Sequence, residues 1–484
     1  MLKRTFTLIG LYLSTTIALI PCSMAKEFDL PEIGTAASTT LTIDQEIEYG
    51  DAYMRMLRGS SPIINDPVLN EYLNSLGHRL VANASDVKTP FQFFLIQDRN
   101  INAFAFFGGH VALYSGLFLH AQSESELASV LAHEIAHVTQ RHLARSMEEQ
   151  AKRSPLTMAA LAGSVLLAIA APQAGIAAVT ATAAGSIQGK INYTRSNEKE
   201  ADRIGISTLS KAGFDVSAMP RFFGRLAEQY RYASTPPPML LTHPLPEDRI
   251  ADTRARAESY PKKTASPSLS YQLARARIVA RYAGLENKAA LSWLTRKEKK
   301  ADLASKAAFE YGKALVYMDN KELDKARPIL EKLISSDPQN LFYIDAISDL
   351  YIESREASKA TVLLEKALII SPSNPVLMIN HANSLMKQHR YEEAVKILQR
   401  YTHDSPEDLN GWRLLSESNI HIGNEDEDLA ARAELLALQA DWNKAIQYYT
   451  KASQITELGS LKQARYDARI DELMVQRERF AAFQ

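Results

Sequence analysis

The sequence predicts a chain of two parts, a mostly helical α+β domain followed by an all-α solenoid of repeated helix pairs. Short segments rich in aromatic and β-branched residues lie among amphipathic helices in the first half, which indicates a small sheet. The second half is helical and repeats itself at a fixed interval. A chain of 484 residues also exceeds one ordinary hydrophobic core. The net charge of −1 indicates no nucleic-acid partner.

The first 25 residues have the features of a cleavable secretory signal. Lys3 and Arg4 form a basic start, an uncharged and mostly apolar stretch follows, and small residues precede a cut after Ala25. The alternative is a lipoprotein anchor at Cys22, which the proline before it disfavours. Because Cys22 is the only cysteine, cleavage after Ala25 would leave a mature protein without disulfides and without a cysteine nucleophile.

Apolar spacing predicts the helices of the first domain, and aromatic and β-branched content predicts its strands. The predicted helices lie at 43–58, 66–83, 123 to about 146 and 193–211, and one predicted strand lies at 91–96. The segment 102–107 leads through Gly108 and Gly109 into 111–114, which indicates two strands that meet at a glycine turn.

An uncharged segment rich in alanine, glycine and threonine covers residues 154–189. Pro172 divides it, and each half as a helix is shorter than the ~30 Å apolar core of a bilayer. We favour a helical hairpin packed on the first domain; contact with a membrane surface or a hydrophobic partner is the alternative. Membrane contact would then be peripheral at most. Five prolines predict a loop over 234–246, and 260–267 has the composition of a linker between domains.

Proline, alanine and leucine recur at a fixed interval in the second half. An interval of 34 residues separates Pro338, Pro372 and Pro406, and it also separates Ala326, Ala360 and Ala394, and Leu330, Leu364 and Leu398. This is the tetratricopeptide period, in which the alanine lets two helices approach and the proline ends the second helix. The register breaks after Trp412 and returns at Ala445, so we expect an extra helix around 429–438. Such a solenoid offers a concave surface for peptides or partner proteins.

The motif that carries chemistry is His133-Glu134-Ile135-Ala136-His137, within the predicted helix over 123–146. Residues four apart share a helix face, about 5–6 Å apart at Cβ, so two neutral imidazoles can bind one Zn²⁺. Glu134 can then take a proton from a metal-bound water as that water attacks a peptide carbonyl. The alternative is a surface helix with two histidines, and the position of the motif on a patterned helix after a strand favours the zinc site.

A candidate third ligand lies 61 residues beyond His137 on another predicted helix. Glu198 and Asp202 share one face there. Glu198 would complete a site of two histidines and one glutamate with water in the fourth position. Asp202 would accept the other ring N–H of a ligating histidine. Glu200 is the rival ligand, and a solvated acidic face is the alternative to any metal role.

These motifs resemble the metallopeptidase family that includes the prenyl-protein proteases and the heat-shock membrane protease. The resemblance rests on His133-Glu-x-x-His137 followed by Glu198-x-x-Ala201-Asp202. It implies a zincin-type α+β fold, and it implies Glu198 as the third ligand. It also implies that the strand over 102–107 receives substrate, main chain to main chain. Many relatives have proline before the two glycines, where this chain has phenylalanine.

The order of the parts narrows the resemblance. A signal, this catalytic domain and a tetratricopeptide region are similar to periplasmic proteases of Gram-negative bacteria that serve outer-membrane protein quality control. The segments 140–145, 242–246 and 459–469 share in this similarity. The resemblance implies a periplasmic location and degradation of misfolded or stalled outer-membrane β-barrel proteins. It further implies assistance to the lipopolysaccharide-transport barrel protein, and contact of the repeats with the barrel-assembly machinery.

His243, in the proline-rich segment, is the remaining candidate for the site. A loop fixed by proline positions a side chain with little loss of entropy. His243 would either donate to the oxyanion during attack or ligate the metal and block the water position, which would make a latent enzyme. The alternative is a histidine at the domain surface. His142 would lie roughly 140° from the ligand face of a continuous helix, so we expect a structural role for it.

We therefore expect a signal over 1–25, a zinc metallopeptidase domain over 26–262 and a tetratricopeptide domain over 268–484. One Zn²⁺ per chain would be held by His133, His137 and Glu198, and the catalytic residues would be Glu134, Asp202 and His243. The favoured function is a zinc endopeptidase that cleaves extended segments of misfolded envelope proteins. The alternative is a chaperone or scaffold that binds barrel proteins through its repeats, with a latent metal site.

Overall fold

The computed structural model describes residues 41–153, 195–234, 236–263 and 267–481. The predicted signal with Cys22 and the predicted hairpin at 154–189 lie outside the described residues, and both stay predictions. Within the described ranges, none of the helices combines the length and the apolar character that crossing a bilayer requires.

The first part of the described chain is mostly helical and contains one small sheet. Its elements are α1 (Ile43–Ser60), α2 (Pro67–Val81), β1 (Gln92–Ile96), β2 (Ala103–Phe106), β3 (His110–Tyr114), α3 (Leu117–His120), α4 (Glu124–Thr139), α5 (His142–Arg153), α6 (Arg195–Lys211), α7 (Ala218–Gln229), α8 (Pro238–Thr242) and α9 (Glu247–Glu258). The predicted segment 234–246 is therefore not wholly a loop. Proline is tolerated in the first turn of a helix, and Pro238 begins α8.

The sheet has β3 in the middle, parallel to β1 and antiparallel to β2. The predicted strands that meet at a glycine turn are thus confirmed. Gly108 and Gly109 have φ values of 74° and 83°, a region that favours glycine. A Cβ at Gly109 would also lie 1.8 Å from the carbonyl oxygen of Pro90. The tight turn leaves β2 at an edge of the described sheet, beside α4.

The helix that carries the histidine motif ends earlier than the sequence predicts. The predicted helix over 123–146 is wrong beyond residue 139, because α4 ends at Thr139 and α5 begins at His142. Arg141 between them has a φ of 51°, a left-handed conformation that breaks the helix. Its buried guanidinium pairs with Glu46 at 2.6 Å and donates to the carbonyl of Leu41 at 2.5 Å. These distant contacts hold the strained backbone in place.

The second part is an all-α solenoid, which confirms the predicted fold class. Its helices are α10 (Leu269–Arg281), α11 (Asn287–Glu298), α12 (Leu303–Asp319), α13 (Leu323–Ser336), α14 (Leu341–Glu353), α15 (Ala357–Ile370), α16 (Pro375–Met386), α17 (Tyr391–Asp404), α18 (Leu409–His421), α19 (Glu425–Ala437), α20 (Trp442–Ile455) and α21 (Leu461–Ala481). The recurring alanines Ala326, Ala360 and Ala394 are fully buried where helices meet. The expected extra helix around 429–438 is α19.

The two parts share one hydrophobic core. Tyr271 of α10 stacks on Phe118 of α3 with ring centroids 6.1 Å apart. Arg277 of α10 pairs with Asp66, which caps α2, at 2.6 Å, and with Asp345 of α14 at 2.7 Å. The domain limits at 26–262 and 268–484 stay predictions, because the packing continues across the segment between them.

Candidate metal centre

Four buried side chains meet between α4, α6 and the end of α8. Donor atoms of His133, His137, Glu198 and His243 lie within 4.8 Å of one another. The Nε2 atoms of His133 and His137 are 3.0 Å apart, and Nδ1 of His243 is 3.0 Å from Oε1 of Glu198. Sequence reasoning named all four residues, and the structure brings them together. The rival ligand Glu200 does not belong to this set.

The close approach of α6 to α4 brings Glu198 to the two histidines. Gly205 of α6 faces the backbone of α4, and a Cβ at Gly205 would lie 3.3 Å from backbone atoms of Ala132 and His133. A larger residue would push the two helices apart. The four-residue spacing of His133 and His137 places both imidazoles on the face of α4 that meets α6.

Asp202 lies against the ring of His133, where it could take the orienting role that the sequence predicts for it. Its Oδ1 lies 2.9 Å from Nδ1 of His133, which leaves Nε2 facing the other donors. Burial alone would lower the pKa of His133, but hydrogen bonds to Asp202 and Glu198 raise it to about 9. Burial, with His133 beside it, holds the pKa of His137 well below its usual range. Carboxylates that favour a proton on His133 also favour a cation at this position.

Glu134 lies beside the cluster and is fully buried. Among the described residues, neither of its carboxylate oxygens has a hydrogen-bond partner, and Nε2 of His243 is 3.5 Å from Oε1. A buried carboxylate without hydrogen bonds is costly. A metal ion with a water molecule next to Glu134 would satisfy it. The imidazole and carboxylate donors that lie beside Glu134 therefore fit a divalent transition metal.

Arg249 of α9 belongs to the site, and sequence reasoning missed it. The side chain is 2% exposed; Nη1 lies 2.5 Å from Oε2 of Glu198, and Nε lies 2.5 Å from Oδ2 of Asp202. Burial would raise the pKa of Glu198, but the charges of His243 and Arg249 hold it well below its usual range. The signal available in the sequence was its position, six residues after His243 and three after Pro246, which ends the proline-rich segment.

His142 also lies beside the centre, so its predicted placement away from the ligand face is wrong. Nδ1 of His142 is 2.8 Å from Nδ1 of His137, and Nε2 of His142 is 3.1 Å from Oε2 of Glu200. The prediction assumed one continuous helix. The left-handed turn at Arg141 instead starts a new helix and returns His142 to His137.

Family profiles agree with this geometry. The profile of peptidase family M48 matches residues 67–257, and tetratricopeptide repeat profiles match 311–340 and 351–417. A match to the crystal structure of the yeast Tom70 covers 72% of this chain and 82% of the Tom70 chain, at 12% identity and a TM-score of 0.30. Fold, site and profiles together define a metallopeptidase with a tetratricopeptide domain.

Two relatives that match nearly the whole chain identify a narrower class of protein. The beta-barrel assembly-enhancing protease of Escherichia coli strain K12 is 48% identical over 469 residues, 97% of this chain and 96% of the relative. A Vibrio cholerae protein, to which the same name is assigned provisionally, is 73% identical over 456 residues, which cover 94% of this chain and 94% of the relative. The chain belongs to the beta-barrel assembly-enhancing proteases of peptidase family M48.

Proposed function

We propose that the chain is a periplasmic, zinc-dependent endopeptidase that degrades misassembled outer-membrane β-barrel proteins and promotes their correct assembly. The observation that carries the proposal is the set of four buried donors beside Glu134, a buried carboxylate without a hydrogen bond among the described residues. Histidine and glutamate are ligands that Zn²⁺ takes in peptidases. The names of the relatives support the class of substrate.

In this proposal, His133, His137 and Glu198 hold the metal. A bound zinc ion would lower the pKa of a water molecule and polarise the carbonyl of the scissile peptide. Asp202 keeps His133 in the tautomer that presents Nε2, through the contact of 2.9 Å to Nδ1. Arg249 holds Glu198 and Asp202 in place, so the donors are preorganised before the metal arrives.

Glu134 is the proposed general base. It is next to His133 in sequence, buried and without hydrogen bonds from the described protein, so its oxygens are available to the attacking water. It takes the proton of that water and passes it to the leaving amine nitrogen.

His243 has two proposed roles, and its position in the donor set supports the role of a fourth ligand. Nδ1 of His243 lies 3.0 Å from Oε1 of Glu198 and 3.4 Å from Nε2 of His133. A histidine ligand there would occupy the position of the water, which describes a latent enzyme. Movement of the short helix α8 would free the position and leave His243 able to donate to the negative charge that develops on the substrate oxygen.

The edge strand β2 and the solenoid are the proposed contacts for protein substrates. An extended segment of a misfolded barrel protein would add to β2 beside α4, main chain to main chain. The concave face of the repeats would bind the barrel-assembly machinery and the lipopolysaccharide-transport barrel protein. This arrangement puts recognition on the repeats and cleavage at α4.

The test is Glu134→Gln in the purified mature chain. The variant should bind one equivalent of zinc, as the wild type does, and should lose digestion of unfolded casein, because the amide cannot accept a proton from water. A chelator should abolish wild-type digestion, and zinc should restore it. Digestion that survives in Glu134→Gln, or in the presence of the chelator, would contradict the proposal.

The second candidate function is a chaperone or scaffold with a latent metal site, which the position of His243 favours. Glu134→Gln separates the two functions. Restored barrel assembly in cells that carry only Glu134→Gln would assign assembly to the repeats, whereas loss of assembly would assign it to proteolysis.

A further inference from the structure

A row of three side chains continues outward from His137. Nδ1 of His137 lies 2.8 Å from Nδ1 of His142, and Nε2 of His142 lies 3.1 Å from Oε2 of Glu200. The side chain of His142 is fully buried, whereas that of Glu200 is 26% exposed at the rim. The row therefore leads from the donor set to a carboxylate that lies outside it.

The chemistry of Glu200 and of a neutral imidazole determines which ring nitrogens in this row carry a proton. Ionised Glu200 can only accept, so Nε2 of His142 donates to it. A neutral imidazole has one N–H, which makes Nδ1 of His142 an acceptor for the N–H on Nδ1 of His137. His137 is left with its lone pair on Nε2, the atom that lies 3.0 Å from Nε2 of His133. That lone pair is what a metal ligand must supply.

In the neighbouring ligand His133, a single carboxylate is enough to keep the proton on Nδ1 and the lone pair on Nε2. Asp202 contacts Nδ1 of His133 directly at 2.9 Å. Residues two apart on a helix point in roughly opposite directions, so Glu200 faces away from the side of α6 that carries Asp202. His137 reaches its carboxylate through His142, which stands on α5 on the other side. The left-handed turn at Arg141 is what places α5 there.

We infer that His142 and Glu200 are positioning residues that fix the tautomer and the ring orientation of His137 for metal binding. The inference rests on the proposed metallopeptidase function. Each acid of α6 near the centre then has its own role, because Glu198 ligates, Asp202 orients His133, and Glu200 orients His137 through His142. Partners of this kind are typically worth about 10–100-fold in metal affinity.

The experiment measures zinc affinity of the purified mature chain by competition with a chromogenic chelator. His142→Leu should weaken binding about 10–100-fold, and Glu200→Ala should weaken it by a smaller factor. Because Glu200 acts through His142, the double variant should lose no more than His142→Leu alone. His142→Asn should recover much of the affinity, since its side-chain oxygen can accept from Nδ1 of His137.

A second readout excludes a merely structural role. The visible absorption bands of the Co²⁺-loaded protein should shift in Glu200→Ala and His142→Leu, because the His137 ring reorients. Lys199→Gln is the matched control: Lys199 neighbours Glu200, is exposed and pairs with Asp248 at 3.0 Å on the surface. Its zinc affinity and its bands should equal those of the wild type. Glu200 is at the rim, so Glu200→Ala still tests the inference if His142→Leu does not fold.

Unchanged affinity and unchanged bands in Glu200→Ala would overturn the inference, and so would additive losses in the double variant. A wild type that binds no zinc at these donors would instead refute the proposed function. A wild type that binds zinc and digests casein, with variants that match it in both measurements, would refute the inference alone.

Discussion

Arg249 and Glu198 form a buried ion pair within the metal centre, with Nη1 of the arginine 2.5 Å from Oε2 of the glutamate. The same guanidinium donates from Nε and Nη2 to the two oxygens of Asp202. The planar fork of an arginine suits two carboxylates held at fixed angles. One side chain from α9 thus links the proposed third ligand to Asp202, the acid that we propose to orient His133.

Replacement of Arg249 by methionine should destabilise the metal-free protein. Two buried carboxylates would lose their partner, and breaking such a pair costs about 3–5 kcal/mol. Urea denaturation of the metal-free protein measures the loss. The control is Arg254→Met on the exposed face of the same helix, which should change the free energy of unfolding by about 0.5 kcal/mol at most. Equal stabilities for the two variants would contradict the role given to Arg249.

Replacement of His243 by alanine separates its two proposed roles: a side chain that blocks the water position predicts a several-fold rise in the rate of casein digestion, and a donor to the substrate oxygen predicts a fall. The side chain stands among the donors, 3.4 Å from Nε2 of His133, so its removal opens the position for water. Zinc should still bind through the remaining three ligands. Thr242→Ala, one residue earlier, is the control and should leave the rate unchanged. Unchanged digestion together with unchanged zinc content in His243→Ala would remove His243 from the site.

Replacement of Asp349 by asparagine should stabilise the protein at pH 8 and not at pH 4. Burial, followed by the charge of Asp345, raises the pKa of Asp349 to about 7, from an ordinary value near 4. A raised folded-state pKa gives stability that is present below pH ~4 and is lost as the pH rises through ~7. The gain at pH 8 should be on the order of 1–3 kcal/mol in urea denaturation. Equal stabilities of the two proteins at pH 8 would refute this.

Replacement of Ala360 by leucine should destabilise the solenoid. Ala360 is fully buried where α15 meets its neighbours, and extra methylene groups in a packed interior cost about 1–3 kcal/mol. The melting temperature of the protein checks the effect. Val362→Leu on the exposed side of the same helix introduces the same side chain and should leave the melting temperature nearly unchanged. A lower melting temperature in the control alone would contradict the assigned packing.

Much of this architecture is readable in the sequence because local rules determine it. The 34-residue interval predicts the solenoid, and even its interruption at α19, because each helix pair buries the same small residue at the same place. The spacing of His133 and His137 predicts their shared face, since both stand on one helix. The pairing of Glu198 with them came from the resemblance to a family, because spacing alone left Glu200 as a rival.

The parts that sequence reasoning missed depend on distant contacts. Arg249 lies in a polar helix, and its sequence context suggests exposure. In the structure it is buried because it pairs with Glu198 and Asp202 of α6. The break after Thr139 depends on Glu46, almost a hundred residues earlier, which holds Arg141 in its left-handed turn. His142 was misplaced for the same reason. Local patterns do not encode which charged residue will meet a partner from another helix.

The junction at Arg277 has a mechanical consequence. This arginine pairs with Asp66 at the start of α2 and with Asp345 of α14, so one buried side chain joins the solenoid to the first part of the chain. The chain should therefore melt as one calorimetric unit, and a cut in the connecting segment should leave the halves associated. A protein bound far along the solenoid would then act on the catalytic part through a rigid connection and not through a flexible linker.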